Sequence, residues 1–299
     1  MYIVVYMFIT ANLMGGLGNQ LFQIFATFAH SMKINYNVIF TYSGVLTTGK
    51  ARVTYWNNFL DKLWGHTTLN LENEMTNRDV EAFPVYREHG FPYEKLPLFT
   101  NSNVKLYGYF QSYKYFEQPE IYNKICDIID LRGKQNSVKM EYHKYFPENK
   151  RIISMHFRLG DYKNIQQFHP LMPVEYYDAA ISSMPTGQEY RINYFCEKED
   201  NAAVSETIDF LSKKYPQYEF VKIDDDIEDW KQMLLMSCCH DNIIANSSFS
   251  WWGAYFNSNP DKCVYYPEVW FGPANSADVS DLFPRTWWKI SLTRTGVKN

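Results

Sequence analysis

The sequence predicts an α/β protein made of two Rossmann-like domains with parallel sheets facing a central cleft. Three observations point there. Short apolar runs alternate with helical patterns throughout the second half. Near the N-terminus an apolar run enters the glycines of "LMGGLGNQ", residues 13–20, and a helical pattern follows. Between the halves, the polar stretch 132–149 breaks the rhythm and suggests a boundary, giving expected domains of 1–149 and 150–299. With 299 residues, 46% of them hydrophobic, the chain can bury one large core or two ordinary ones. Ligands of such sheets bind outside the C-terminal strand ends, so a cleft lined by those ends is the expected site.

In the first half, residues 3–9 read as a core strand, with 7–12 as a strand extension before the glycines. That run is too short for a bilayer span, which takes about 20 residues. It also lacks the flanks of a signal peptide. No membrane span or leader is expected, and the expected location is cytoplasmic or peripheral to a membrane. After the glycines, Leu21, Phe22, Phe25, Phe28, Ala29 and Met32 recur at helical spacing. Residues 38–40 form the next strand. Aromatics, charges and prolines over 43–100 suggest helical and loop insertions, before a strand at 104–110 and a helix at 115–129.

The second half is more regular. Strands are expected at 151–157, 190–196, 219–223, 241–245 and 262–266. Between them lie helices opened by Pro173, with Val174, Tyr177, Ala180 and Ile181 on one face, then at 202–215, at 227–238 and at 249–256. There is no internal repeat and no low-complexity tract.

Composition removes some function classes. A net charge of −4 gives no basic surface for nucleic acid. Five cysteines, an odd number with no CxxC spacing, argue against a zinc site and for thiols in a reducing compartment. The 18% aromatic share suits either sugar binding or core filling.

Three stretches carry chemistry. "MGGLGNQ" has the G-x-G of a dinucleotide fingerprint in Gly16 and Gly18, but Leu21 occupies the third glycine position. It still exposes backbone N–H groups at a helix start, with the Asn19 and Gln20 amides aimed into a cleft; the alternative is a plain tight turn. "HFRLGDY", 156–162, ends the first strand of the second domain with His156, Arg158 and Asp161 close together. The arginine fork suits a diphosphate, or pairs structurally with Asp161. "NIIANSSFSWWGAYF", 242–256, takes a buried strand through Asn246, Ser247, Ser248 and Ser250 into a helix, which makes an anion site or an ordinary N-cap. Trp251 and Trp252 read as core rather than sugar platforms. The Asn246-Ser247-Ser248 sequon sits at a strand end unsuited to glycosylation. Asp224-x-Asp226 reads as helix-capping charge rather than a metal motif, and Glu175, Asp178 and Glu197 read as surface charges.

In this order, "MGGLGNQLFQ", "HFRLGDY" and "IIANSSFSWWGA" closely resemble the α-1,2-fucosyltransferases of glycosyltransferase family 11. "GYFQSYKYF" at 108–116, "YYDAAI" at 176–181 and "FPRTWWKI" at 283–290 support the match. The resemblance implies a GT-B fold and metal-independent, inverting transfer of fucose. GDP-fucose would be the donor, and the 2-hydroxyl of a galactose-containing oligosaccharide the acceptor, with no cofactor. It implies catalytic roles for Arg158, His156 and Asp161, the last shaping the loop. It implies donor binding by Asn246, Ser247, Ser248, Ser250, Gly16, Gly18 and Asn19, with Gln20 on the acceptor side. The family usually has a second arginine where Leu159 stands, and an acidic pair where residues 196–200 read Cys-Glu-Lys-Glu-Asp. Neither the resemblance nor the sequence identifies a general base. The alternatives are a glycan- or nucleotide-sugar-binding homologue without turnover, and a dinucleotide oxidoreductase, which the missing third glycine disfavours.

Overall fold

Parallel strands need a crossover between them, and helices that bury one apolar face supply it in both halves of this chain. The structure, a computed structural model, describes residues 7–292. In the first half β1 (Phe8–Ala11) passes through the glycine turn into α1 (Leu17–Ile34), and β2 (Asn37–Val38) returns beside β1. An antiparallel pair, β3 (Val45–Leu46) and β4 (Arg52–Val53), and the short α2 (Asn77–Glu81) precede β5 (Val85–Arg87) and β6 (Val104–Tyr107). The sheet runs β2-β1-β6-β5, all parallel. α3 (Pro119–Ile128) packs on α1, where Phe25 meets Tyr122 at 6.1 Å.

The second half begins in α4 (Leu131–Glu141) and continues β7 (Arg151–His156), α5 (Val174–Ser182), β8 (Tyr190–Phe195), α6 (Asn201–Lys214) and β9 (Glu219–Lys222). Then come α7 (Asp229–Ser237), β10 (Asp241–Ile243), α8 (Ser248–Tyr255), β11 (Val264–Pro267) and β12 (Trp288–Ile290). This sheet runs β12-β11-β10-β7-β8-β9, again all parallel. The chain therefore builds outward from β7 in one direction and, from β10, in the other. The strand order reverses between β7 and β10, which is where such sheets receive ligands.

The compact units divide after Lys134: the first also takes Ala277–Pro284, and the second resumes at Arg285. Sequence reading put the boundary at 149/150 because 132–149 is polar. That stretch is instead α4 and a short 3₁₀ turn, His143–Tyr145, and α4 is anchored in the second unit. Gln135 donates to Ser237 Oγ at 2.8 Å and to the Phe256 carbonyl at 3.1 Å. Residues 3–6 of the expected first strand lie outside the described residues. The described strand falls on the expected extension, where Ile9, Thr10 and Ala11 are all buried. β5 was missed within 43–100 because Val85 and Arg87 of this edge strand are exposed. Among the described residues no helix is long and apolar enough to cross a membrane. All five cysteines are free thiols.

Two polar ties fix the register around the strand reversal. Buried Asn242 on β10 donates to Ser154 Oγ on β7 at 2.7 Å and to the Met236 carbonyl at 2.8 Å. At the opposite sheet end Arg151 grips buried Asp241 with two bonds of 2.5 and 2.7 Å, and Asp241 also accepts from Cys263 N–H. Removing one partner of a buried pair strands the other charge, at a cost of about 3–5 kcal/mol. Because Arg151 is partly exposed, Arg151→Ala should lose about 3 kcal/mol, the lower end of that range. A urea titration would read the loss as a lower midpoint, and an unchanged midpoint would refute the assignment.

Candidate functional site

β7 delivers His156, Phe157 and then Arg158 to the C-terminal edge of the second unit's sheet. Phe157 packs against the Tyr177 ring at 4.2 Å and holds the strand end down. Beyond it the Arg158 guanidinium has two carboxylate partners: Nη2 reaches Asp161 Oδ1 at 2.5 Å, and Nη1 contacts Glu197 Oε1. The Tyr162 ring lies under it at 5.0 Å. Burial would loosen its proton, but Glu197 and Asp161 more than offset that and raise its pKa. The sequence raised the Arg158–Asp161 pair as an alternative; the pair exists, and Glu197 joins it. Glu197 is therefore not simply a surface charge. The β7–β8 ladder sets His156 opposite Phe195, so the residues just past both strands come out level. A sequence reading of strands alone had no means to see that register.

The resemblance implies that Asp161 shapes the loop; Asp161 pairs with Arg158 within it, and Asp200 adds a second hold. Asp200 is buried, accepts from Gly160 N–H at 2.7 Å and pairs with Lys163 Nζ at 2.6 Å. The acidic run after β8 was the available signal for it. Gly160 has φ +35°, and a Cβ there would lie 2.5 Å from Glu197 Oε2. Leu159, at the position of the family's second arginine, packs against the apolar core instead of facing the charges.

His156 is buried, with its ring 5.6 Å from Phe249 and its Nδ1 lacking a protein partner. Burial, helped by the Arg158 charge, pushes its pKa down to about 3, so the ring is neutral at ordinary pH. Next to β7, β10 leads to Asn246, which is buried. Its amide donates to the Pro170 and Trp270 carbonyls at 2.9 and 3.2 Å, while its Oδ1 has no protein partner. Tyr162 Oη donates to the Asn246 carbonyl at 3.3 Å, joining the two motifs. Ser247 caps α8 by accepting from Phe249 N–H at 3.3 Å. Ser248 opens the helix half-buried, and Ser250 is buried against the Ala245 and Ser247 carbonyls. Trp251 and Trp252 are fully buried, and Gly253 exists because a Cβ would come within 2.8 Å of the Met236 Cβ.

The first unit holds the remaining residues at the end of β1. Gly15 takes φ +79°, and a Cβ there would meet Asn19 Nδ2 at 2.5 Å. Gly16 is the N-cap of α1, makes no side-chain cap bond and has open space beside it; Gly18 is buried in the first turn. Asn19 Oδ1 accepts from Gln111 Nε2 at 2.7 Å. Gln20, expected on the acceptor side with its amide aimed into a cleft, is fully buried and donates to the Gly15 and Val53 carbonyls at 3.0 and 2.9 Å. It braces the turn. Gln23 does likewise through a reciprocal pair with the Met14 peptide, at 2.9 and 3.0 Å. Glu88 was also missed. It accepts from Tyr109 and Phe110 N–H at 2.7 and 3.0 Å, and burial raises its pKa despite those bonds. Gly108 leaves room for it.

The D-x-D carboxylates do not cap α7, which starts at Asp229; Asp224 pairs with Lys144 at 2.6 Å. Among the described residues, no three His, Cys, Asp or Glu side chains gather as a metal set.

Comparison with known proteins agrees with these motifs. The model of Glycosyl transferase family 11 matches residues 7–287. The Escherichia coli O-antigen biosynthesis glycosyltransferase WbnK is 27% identical over 303 residues, covering 90% of this chain and 96% of that protein. An Escherichia coli alpha-1,2-colitosyltransferase is 28% identical over 319 residues, covering 94% and 98%. In fold the chain is similar to an Arabidopsis thaliana FUT1 mutant in complex with GDP, with a TM-score of 0.51 at 7% identity over 88% of this chain and 70% of that one. The fold is GT-B in type, two Rossmann-like units on parallel sheets. With the family match running over almost all of its length, the chain belongs to glycosyl transferase family 11.

Proposed function

We propose that the protein is an inverting, metal-independent transferase that moves fucose from GDP-fucose to the 2-hydroxyl of a galactose-containing glycan. The observation that carries this reading is Arg158, just past β7 where the strand order of the second unit reverses, on a loop that Tyr162 ties to Asn246 ahead of α8. When the bond between C1 and the diphosphate oxygen breaks, negative charge gathers on the leaving GDP. A guanidinium fork gives that charge two directed hydrogen bonds and never deprotonates. The first N–H groups of α8, with Ser247 and Ser248, add partial positive charge at the same edge. His156, neutral, offers a hydrogen bond without competing for the anion, and Asn246 Oδ1 offers an acceptor. Arg158 and the helix start thus take the work that a metal does in other transferases. The relatives' names, an O-antigen glycosyltransferase and an α-1,2-colitosyltransferase, support surface-glycan chemistry and the 1,2 linkage.

GDP release measured with galactosides, using GDP-fucose beside GDP-colitose, tests the reading directly. Hydrolysis-free binding without turnover on either donor would favour the inactive homologue.

Losing a contact that strengthens in the transition state costs about 2.7–4 kcal/mol, or roughly 10²–10³ in kcat. Arg158→Ala should show that loss while its far-UV CD and Tm stay near the parent's, since both partner carboxylates can turn to solvent. Arg158→Lys keeps charge but not the fork and should remain severely impaired. Near-normal turnover in either variant would remove Arg158 from the donor site.

Activity should survive excess EDTA, and Asp226→Asn should change it little; loss that manganese restores would overturn the metal-independent reading. Because Leu159 packs on the core, Leu159→Arg should lower Tm and leave the donor KM within about a few-fold. A large gain in donor affinity would mean that this position faces the donor after all.

A further inference from the structure

The fork of Arg158 is already filled. Its two Nη atoms hold Asp161 and Glu197, and the three groups together carry a net charge of −1. A diphosphate approaching this cluster meets a neutralised arginine and a surplus carboxylate. For both Nη atoms to face the diphosphate, one of these partners must move.

The two carboxylates differ in how easily they can leave. Asp161 belongs to the same 3₁₀ turn, Gly160–Asn164, stands three residues from Arg158, and its side chain is 31% exposed. Glu197 comes from the end of β8, and its side chain is 47% exposed. Among the described residues its carboxylate makes no other hydrogen bond. Its backbone, by contrast, is fixed: the Glu197 carbonyl accepts from Asp200 N–H at 2.9 Å, and the Asp200 side chain is buried. So the side chain can swing while its root stays in place. Glycine at position 160 keeps the space that this carboxylate occupies.

We propose that Glu197 is a placeholder for the donor diphosphate: it occupies one arm of Arg158 until the diphosphate displaces it, and it returns as GDP leaves. The proposal rests on the donor-site reading above. Glu197 is a positioning residue that sets donor affinity, because each binding event must break its ion pair.

An exposed pair of this kind is worth a small factor, so its removal should tighten binding about two- to five-fold. The probe is GDP, titrated calorimetrically into the full chain. Glu197→Gln should lower the GDP Kd by that factor, more at low ionic strength, and slow GDP dissociation in stopped flow. Glu199→Gln makes the same charge change in the same exposed turn, without a contact to Arg158, and should leave Kd near the parent's. If Glu197→Gln binds GDP no better than the parent, or if Glu199→Gln tightens it equally, the placeholder role is overturned while the donor site stands. If the parent chain binds no GDP, the donor-site reading falls and takes this proposal with it.

Discussion

The pairing of β10 with β7, rather than with β9, is the constraint on which the second unit depends. Once β7, β8 and β9 have been laid down in one direction, the chain must return past them and add β10 on the other side of β7. The Asn242–Ser154 bond and the Arg151–Asp241 pair hold that return in register. Two strand ends then emerge side by side with their loops diverging. The first strand ends in His156 and its loop carries Arg158; the second loop carries Asn246 and leads into α8. The two motifs stand side by side because of strand order, and no single residue in either loop reveals that adjacency.

Charge at that edge is held in deliberate balance by geometry. Arg158 and Lys163 are each matched to carboxylates, Asp200 being buried and Glu197 open to water. The buried acid fixes loop shape because a stranded charge there would be expensive. The open one costs little to release because water can replace its partner. Two carboxylates three positions apart, Glu197 and Asp200, therefore divide into an exchangeable and a structural role according to burial.

Much of the fold was legible in the sequence because burial on both faces makes parallel strands read as short continuous apolar runs. All five strands expected after residue 150 are present, within a residue or two of their expected ends. β12 was missed, since Trp288 and Lys289 are exposed and only Ile290 is buried. β5 escaped for the same reason, and α4 read as linker because mostly its Val138 and Leu131 are buried. In the site, the motif residues lie on the expected sheet edges. What the sequence could not give were pairings set by register across strands: Glu197 with Arg158, Asp200 with Gly160, Glu88 with Phe110. Gln20 was misread for a related reason, since an amide beside a glycine turn looks available until the hairpin that takes its hydrogen is seen.

The third motif shows how packing and binding share one short segment. Trp251 stacks on Tyr255 at 4.6 Å and meets Trp287 at 5.5 Å, while Gly253 admits α7 so closely that any side chain would collide with Met236. These contacts bind nothing. They fix α8 along its whole length, and a fixed helix aims its first N–H groups at one point. Had the segment used smaller apolar residues, the helix could tilt, and an anion at its start would lose the preorganised dipoles that make electrostatic stabilisation effective. The bulk of the tryptophans thus holds α8 rigid from within the core, so the most recognisable residues of the motif are packing residues.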